Sequence, residues 1–288
     1  MHRFLTALTA RPWLVFAAVV AVSVAFLVAA AGNTRMETDL DEYMPKDHPA
    51  FVYSDEAEEW FDINDGIIIA IEHPDGIYNP GTLSKVKDLT KELERHDLIG
   101  RGDVTSLYTV DNITGSETGL DVRSFYSKVP ESERGIDAIR ASVKANDMIH
   151  GRLVSADETV TLVIAELGDE AFSQEFYRQI LDLTSAYEGP ENLYIAGRPI
   201  VEGTMAHLAP KDMKRMVPIV LLIITAVLAL VLRSPKSTIF TLLAVVLSTL
   251  WTFGLMAWLG IPIYAVSTMI PVMLIATGVA DGTHITGH

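Results

Sequence analysis

One carboxylate in this sequence lies where charge is expensive. Asp281 belongs to the apolar run from Ile263 to His288 and is placed between Gly278 and Gly282. An ionised side chain within a bilayer costs roughly 3 kcal/mol or more, so an acid in such a run is a candidate for function. His284 follows one helical turn later. A carboxylate that is shielded from water and lies near an imidazole can exchange protons near the working pH, so the pair predicts proton exchange.

A helix formed by this run would carry a polar stripe. Offsets of three, four and seven residues return to the same helical face, and that face holds Thr277, Gly278, Asp281, His284 and His288. We expect Asp281 to carry the proton, with His284 and Thr277 in the relay. A structural polar contact is the alternative. A metal site formed by Asp281, His284 and His288 is disfavoured, because no further ligand accompanies them.

Three other residues of the run predict helix packing and bending. Gly278 and Gly282 form a small-xxx-small pattern, which lets neighbouring helices approach closely. Pro271 lacks a backbone donor, so we expect it to act as a hinge.

Charge divides the chain into two kinds of segment. The sequence has 288 residues, is 49% hydrophobic and has a formal net charge of −15. Residues 33–213 contain 36 of its 37 acids and 16 of its 22 Lys and Arg residues, and Asp281 is the remaining acid. These numbers predict a large acidic domain in water and separate apolar segments with basic flanks. The lack of cysteine excludes disulfides, thiolate catalysis and cysteine zinc sites.

Four apolar runs are long enough to cross a membrane, which takes about 20 residues. They are residues 12–32, 216–232, 238–259 and the run from 263 onward. A cleaved signal peptide is the alternative for the first, but its apolar stretch exceeds the usual ~7 to 15 residues. Arg3, Arg11 and the basic loop Arg233–Lys236 predict a cytoplasmic N-terminus and an extracytoplasmic segment 33–213. The predicted domains are therefore 1–32, 33–213 and 214–288.

The segment 33–213 has the pattern of an α/β domain. Short β-branched runs predict strands at 66–72, 104–110 and 193–196, and a hairpin formed by 153–155 and 159–167. Helical spacing predicts helices at 80–96 and 172–187, and one near 132–144 within the poorly patterned stretch 111–146. This order is close to a split βαβ, ferredoxin-like fold with an insertion. The predicted class is an α+β membrane protein, with a bundle of four helices and an extracytoplasmic ferredoxin-like domain.

Aromatic and acidic residues open this domain. Phe51, Tyr53, Trp60 and Phe61 are candidates for lining a hydrophobic substrate path, and core packing is the more common role of such side chains. The acids among residues 55–59 are expected to form a solvated face. The sequence contains no nucleophile elbow, phosphate loop or HExxH motif, so we predict that the protein is not an enzyme.

The order of these segments resembles the N-terminal half of a permease of the resistance-nodulation-cell division (RND) superfamily, in the branch of the MMPL-type and hopanoid exporters. The similar motifs are Thr38-Asp39-Leu40, Met44-Pro45, Ala196-Gly197-Arg198-Pro199, Thr252-Phe253-Gly254, Ser267 to Pro271 and Gly278 to His284. The resemblance implies that Asp281 takes up and releases the protons that drive export, and that the extracytoplasmic domain is a porter domain. The family's usual tyrosine after this acid is replaced by Gly282, so no role of a tyrosine neighbour carries over.

The resemblance implies a secondary transporter that exports hydrophobic or amphiphilic molecules, such as lipids or drugs, with protons as the coupling ion and no other cofactor. It implies the bacterial inner membrane and a C-terminal half that completes the transporter. Membrane lipids and a hydrophobic substrate are the expected partners, nucleic acid is not, and homo-oligomerisation is left open. The alternatives are a sterol-sensing-like lipid-binding protein without proton coupling, or a protein-translocation accessory of the same superfamily.

Overall fold

The architecture is taken from a computed structural model of the chain. It describes residues 12–37, 48–61, 65–100, 102–116, 119–168, 173–264, 267, 269–271, 273, 274 and 277. The chain divides into two compact units. We call Met1–Met44 with Met205–His288 the helical unit, and Pro45–Thr204 the α/β unit.

Three helices of the described residues are long and apolar enough to span a membrane. They are α1 (Pro12–Asn33), α6 (Arg198–Leu232) and α7 (Pro235–Leu259), with mean hydropathies of 2.8, 2.7 and 2.1 in their most apolar windows. The chain is a membrane protein. The first three predicted spans fall within these helices, whereas most of the fourth lies outside the described residues.

Helix α6 begins well before the apolar run predicted at 216–232. It starts at Arg198, within the α/β unit, and ends at Leu232. Pro199 suits the first turn of a helix because its missing N–H would have no helical partner there. Hydropathy marks only the apolar part of a helix, so it predicted only the second half of α6.

Helices α1 and α7 pack against each other in parallel. The indole Nε1 of Trp251 donates a hydrogen bond of 2.9 Å to Ser23 Oγ, and the rings of Trp251 and Phe26 lie 6.3 Å apart. Gly254 faces Phe26 so closely that a Cβ atom would overlap the Phe26 side chain and lie 2.7 Å from its carbonyl oxygen. The Ser23–Trp251 and Phe26–Gly254 contacts each join residues that are 228 positions apart. Because this offset stays constant along both helices, the two helices run in the same direction.

Gly254→Leu is expected to lower the thermal stability of the purified chain in detergent. The added side chain has no room against Phe26, and overpacking of this kind costs about 1 to 3 kcal/mol. Ala244→Leu is the matched control, because Ala244 is an exposed position of the same helix. Equal melting temperatures for the two variants would contradict the α1–α7 packing.

The α/β unit contains one four-stranded antiparallel sheet. Its order is β3–β6–β2–β7, formed by Val104–Ser106, Val160–Glu166, Gly66–Glu72 and Asn192–Ala196. Helix α3 (Pro80–Leu93) follows β2, and helix α5 (Gln174–Ala186) follows β6. Helix α2 (Pro49–Phe61), helix α4 (Glu133–Lys144) and a hairpin of β4 (Asp111–Ser116) with β5 (Gly119–Ser124) complete the unit.

The core of this unit lies between the sheet and its helices. Ile67, Ile69 and Ile71 alternate along β2 and are fully buried, as expected for a strand with one covered face. Helices α3 and α5 contribute fully buried side chains, including Leu83, Val86, Leu89 and Ile180. Side chains of Asn79, Ser132 and Ser173 cap the starts of α3, α4 and α5. The helices predicted at 80–96, near 132–144 and at 172–187 therefore correspond to α3, α4 and α5.

Four parts of the α/β unit differ from the prediction. The strand predicted at 104–110 ends at Ser106, and helix α2 lies where no helix was predicted. The hairpin β4–β5 lies in the stretch where no strand was predicted. Its apolar residues Ile113, Leu120 and Val122 are exposed, so the strands have no buried face that would impose an alternating apolar pattern on the sequence. The predicted hairpin at 153–167 contains only β6 and an isolated bridge between Val154 and Thr161.

The turn before β6 is tied to α4 by a buried carboxylate. Glu158, which is 5% exposed, pairs with Arg140 and lies 3.0 Å from Lys144 Nζ. The hydrogen bond from Arg140 is the main cause that lowers the pKa of Glu158 below its usual value. The carboxylate therefore stays ionised and links the turn to the helix.

Candidate functional site

The segment that leads to Asp281 begins at the ends of α1 and α7. Gly260, in a left-handed conformation with φ of 73°, ends α7 and turns the chain. Strand β8 (Ile263–Tyr264) then pairs in parallel with β1 (Met36–Glu37), which directly follows α1. The Ile263 amide donates a hydrogen bond of 2.8 Å to the carbonyl oxygen of Arg35. The start of the last segment is thus fixed at the same end of the helical unit as the ends of α1 and α7.

The described part of the last segment is helical. Residues 270, 271, 273, 274 and 277 have helical conformation, and the Thr277 hydroxyl donates a hydrogen bond of 3.0 Å to the carbonyl oxygen of Met273. Thr277 is exposed in the chain, and its hydroxyl is satisfied within its own helix. Asp281, His284, His288, Gly278 and Gly282 lie outside the described residues. Their roles stay predictions.

Pro271 occurs early in this helix. It is buried, it follows 3₁₀ conformation at Met269, and Ile270 is the first α-helical residue of the described part. The first amides of a helix have no partner within the helix, so a proline, which lacks an N–H, is tolerated there. This position gives a structural reason for Pro271, and its role as a hinge stays a prediction.

The motif Ala196-Gly197-Arg198-Pro199 joins strand β7 to helix α6. Gly197 has φ of +129°, and a Cβ atom would overlap the carbonyl oxygen of Gly66 and lie 3.1 Å from Ile67 Cα. Arg198 donates a hydrogen bond of 2.8 Å to Glu202 and lies 3.5 Å from Asp65. The motif therefore anchors the start of α6 to the start of β2.

The family model of the MMPL family matches residues 86–284, which is well over half of the chain. The chain belongs to the MMPL family. A protein of Methanocaldococcus jannaschii whose name describes it only as a membrane protein is 23% identical over 295 residues. The match covers 96% of this chain and 70% of that protein.

In this MMPL protein, the aromatic residues of α2 do not pack in a core. Tyr53, Trp60 and Phe61 are 68%, 72% and 71% exposed. Phe51 is half-buried, and its ring contacts the His48 ring at 6.5 Å. The expectation of core packing is therefore wrong for Tyr53, Trp60 and Phe61, because it rested only on the usual burial of large aromatic side chains.

A groove of about 540 Å³ lies between α5 and the edge strand β7. Glu191 lines it and is 5% exposed, but it is already paired: Lys85 Nζ lies at 2.6 Å and the Thr82 hydroxyl donates to it at 2.9 Å. Sequence reasoning missed this contact, because Thr82 and Glu191 are 109 positions apart. The pairing gives the carboxylate a structural role.

Metal binding has no support within the described ranges. No group of three or more His, Asp or Glu residues there is arranged to hold an ion.

Sequence reasoning also missed the Ser23–Trp251 hydrogen bond. Ser23, the one hydroxyl in the apolar run 12–32, was the available clue, since a polar side chain in a span commonly bonds a neighbouring helix.

Proposed function

We propose that this MMPL protein is part of a secondary transporter that uses the proton-motive force to export hydrophobic or amphiphilic molecules. The observation that carries the proposal is the position of Asp281, the one acid of the sequence outside residues 33–213. An acid retained among apolar spans costs stability, so it needs a function that offsets this cost. Uptake and release of a proton is such a function.

The geometry at the start of the last segment supports a central depth for Asp281. A helix continued from Ile270 would bring Asp281, eleven residues on, about 17 Å along its axis at 1.5 Å per residue. If the hydrocarbon core, which is about 30 Å thick, begins near Ile270, this depth is close to its middle. His284 and Thr277 would lie on the same face as Asp281, and Gly278 and Gly282 would let a neighbouring helix approach it.

The parallel packing of α1 and α7 supports the proposed topology. Helix α6 is joined to α7 by the two residues Arg233 and Ser234, so it must run opposite to α7. With the basic N-terminal flank in the cytoplasm, α1 and α7 run outward and the segment 33–213 is extracytoplasmic. We propose the bacterial inner membrane as its location, as the resemblance to RND permeases implies.

The sheet of the α/β unit supports a ferredoxin-like porter domain. Its four strands are all antiparallel, and helices follow its first and third strands along the chain, as in the split βαβ pattern.

The exposed aromatic residues of α2, together with Phe51, are the proposed start of a hydrophobic substrate path. Membrane lipids, a hydrophobic substrate and a C-terminal half that faces Asp281 are the proposed partners, and a homo-oligomer is compatible with them. Protons are the only coupling ion proposed.

Efflux of two hydrophobic probes tests the proposal. Cells that express the full-length protein are loaded with Nile red or a fluorescent phospholipid analogue, and the loss of probe is followed with and without a protonophore. We expect faster efflux than in cells without the protein, and loss of this difference when the protonophore is added. Efflux that the protonophore leaves unchanged would instead favour lipid binding or movement without proton coupling.

A further inference from the structure

Helix α2 exposes aromatic residues on one side only. At 100° per residue, Tyr53 and Trp60 lie about 20° apart, and Ala57 and Phe61 extend the same face to an arc of about 100°. Glu58 and Glu59 are exposed and lie on the other side of the helix. The helix therefore has an aromatic face and an acidic face, and both are open in the chain.

The residue types of the aromatic face fit a particular environment. Trp and Tyr combine an apolar ring with a polar N–H or O–H, and they are enriched where lipid headgroups meet the hydrocarbon core. A helix with an apolar face and a charged face can lie in the plane of this boundary, with its apolar face among the lipids. Since the charged face of α2 is acidic, it would favour zwitterionic over anionic lipids.

The length of the linker limits how far α2 can lie from the membrane-spanning helix α1. Strand β1 ends at Glu37, four residues after the end of the spanning helix α1, and pairs with β8 next to the end of α7. Helix α2 begins at Pro49, twelve positions later, and twelve residues reach at most about 43 Å when fully extended. This upper limit on the distance raises the effective concentration of lipid at the aromatic face, compared with a free helix in water.

We propose that α2 lies on the membrane leaflet in which α1 ends, with Tyr53, Trp60 and Phe61 among the lipid headgroups and Glu58 and Glu59 in water. The occupant of the aromatic face is the lipid surface. This placement holds whether or not the protein exports a substrate. It adds a second lipid contact, outside the spanning helices, at the point where the α/β unit begins.

Single cysteines test this placement directly, because the sequence has none of its own. Trp60→Cys and Tyr53→Cys on the aromatic face, and Glu58→Cys on the acidic face, are labelled with bimane in the full chain. The labelled protein is inserted into nanodiscs of phosphatidylcholine. Quenching is measured with iodide, which stays in water, and with a lipid that carries a nitroxide below its headgroup.

We expect labels at 60 and 53 to lose iodide quenching and to be quenched by the nitroxide lipid, and the label at 58 to show the reverse. Equal quenching by iodide at all three positions would mean that α2 is free in water. Protection of positions 60 and 53 from both quenchers would mean that protein covers the aromatic face. Either outcome would overturn the proposal. All three positions are exposed, so the substitutions leave the packing of the α/β unit intact.

Discussion

Asp281→Asn in the full-length protein is expected to reduce proton-driven efflux to the level of cells without the protein. Asparagine has nearly the same shape as aspartate and, like a protonated carboxyl group, both donates and accepts hydrogen bonds, but it does not bind or release a proton in the physiological range. The loss would therefore come from coupling and not from packing. The measurement is efflux of the fluorescent phospholipid analogue across a range of imposed pH gradients.

Three comparisons make this result specific. Asp281→Glu keeps an ionisable carboxylate and is expected to retain part of the activity, whereas Thr277→Ala and His284→Ala are expected to cause smaller losses than Asp281→Asn. The amount of each variant in the membrane and its melting temperature in detergent must match those of the unchanged protein. Full activity in Asp281→Asn would show that the proton passes through another group.

Gly197→Ala is expected to give the largest loss of stability in the α/β unit. The residue has φ of +129°, which strains any side chain, and its Cβ atom would overlap the carbonyl oxygen of Gly66. Strain of this kind and overpacking cost about 1 to 3 kcal/mol each, so we expect a loss of about 3 kcal/mol or more. For a unit of this size the melting temperature would fall by roughly 6 to 12 °C.

Gly102→Ala separates backbone strain from the clash. Gly102 also has a positive φ, of 99°, but nothing lies within 4 Å of the position of its Cβ atom. Its replacement is expected to cost about 1 to 2 kcal/mol, from strain alone. If both variants melt at the same temperature, the close approach of β7 to β2 at this motif is wrong.

Regular patterns of apolar residues in the sequence made much of the fold predictable. The spans α1 and α7 follow from hydropathy, and β2 and β6 follow from β-branched runs whose residues alternate between the core and the other face. The hairpin β4–β5 did not follow, because both its faces are open and exposed strands need no alternation. Helix α2 was not predicted at all, and the expected core packing of its Tyr53, Trp60 and Phe61 was wrong. Aromatic side chains are buried in general, but the sequence does not say whether protein or lipid covers them.

The candidate site rests on residue types in the sequence, and the roles of Asp281 and His284 stay predictions. A carboxylate among apolar spans is visible in the sequence, and so is the polar face that it shares with Thr277 and His284. Its framework depends on contacts between residues far apart in sequence, such as Met36 with Ile263 and Ser23 with Trp251. Such contacts leave no local periodicity, so they become known only from the structure.

The separation of 228 positions between Ser23 and Trp251 also affects how the protein is made. A ribosome adds about 5 to 20 residues per second, so α1 spends roughly 11 to 46 seconds in the membrane before the partner side chain on α7 is synthesised. The Ser23 hydroxyl is not left unsatisfied during this time, because it also donates a hydrogen bond of 2.7 Å to the carbonyl oxygen of Val19 within its own helix. Helix α1 can therefore be inserted into the membrane before α7 is present. The complete α/β unit is synthesised before α1 and α7 pack together.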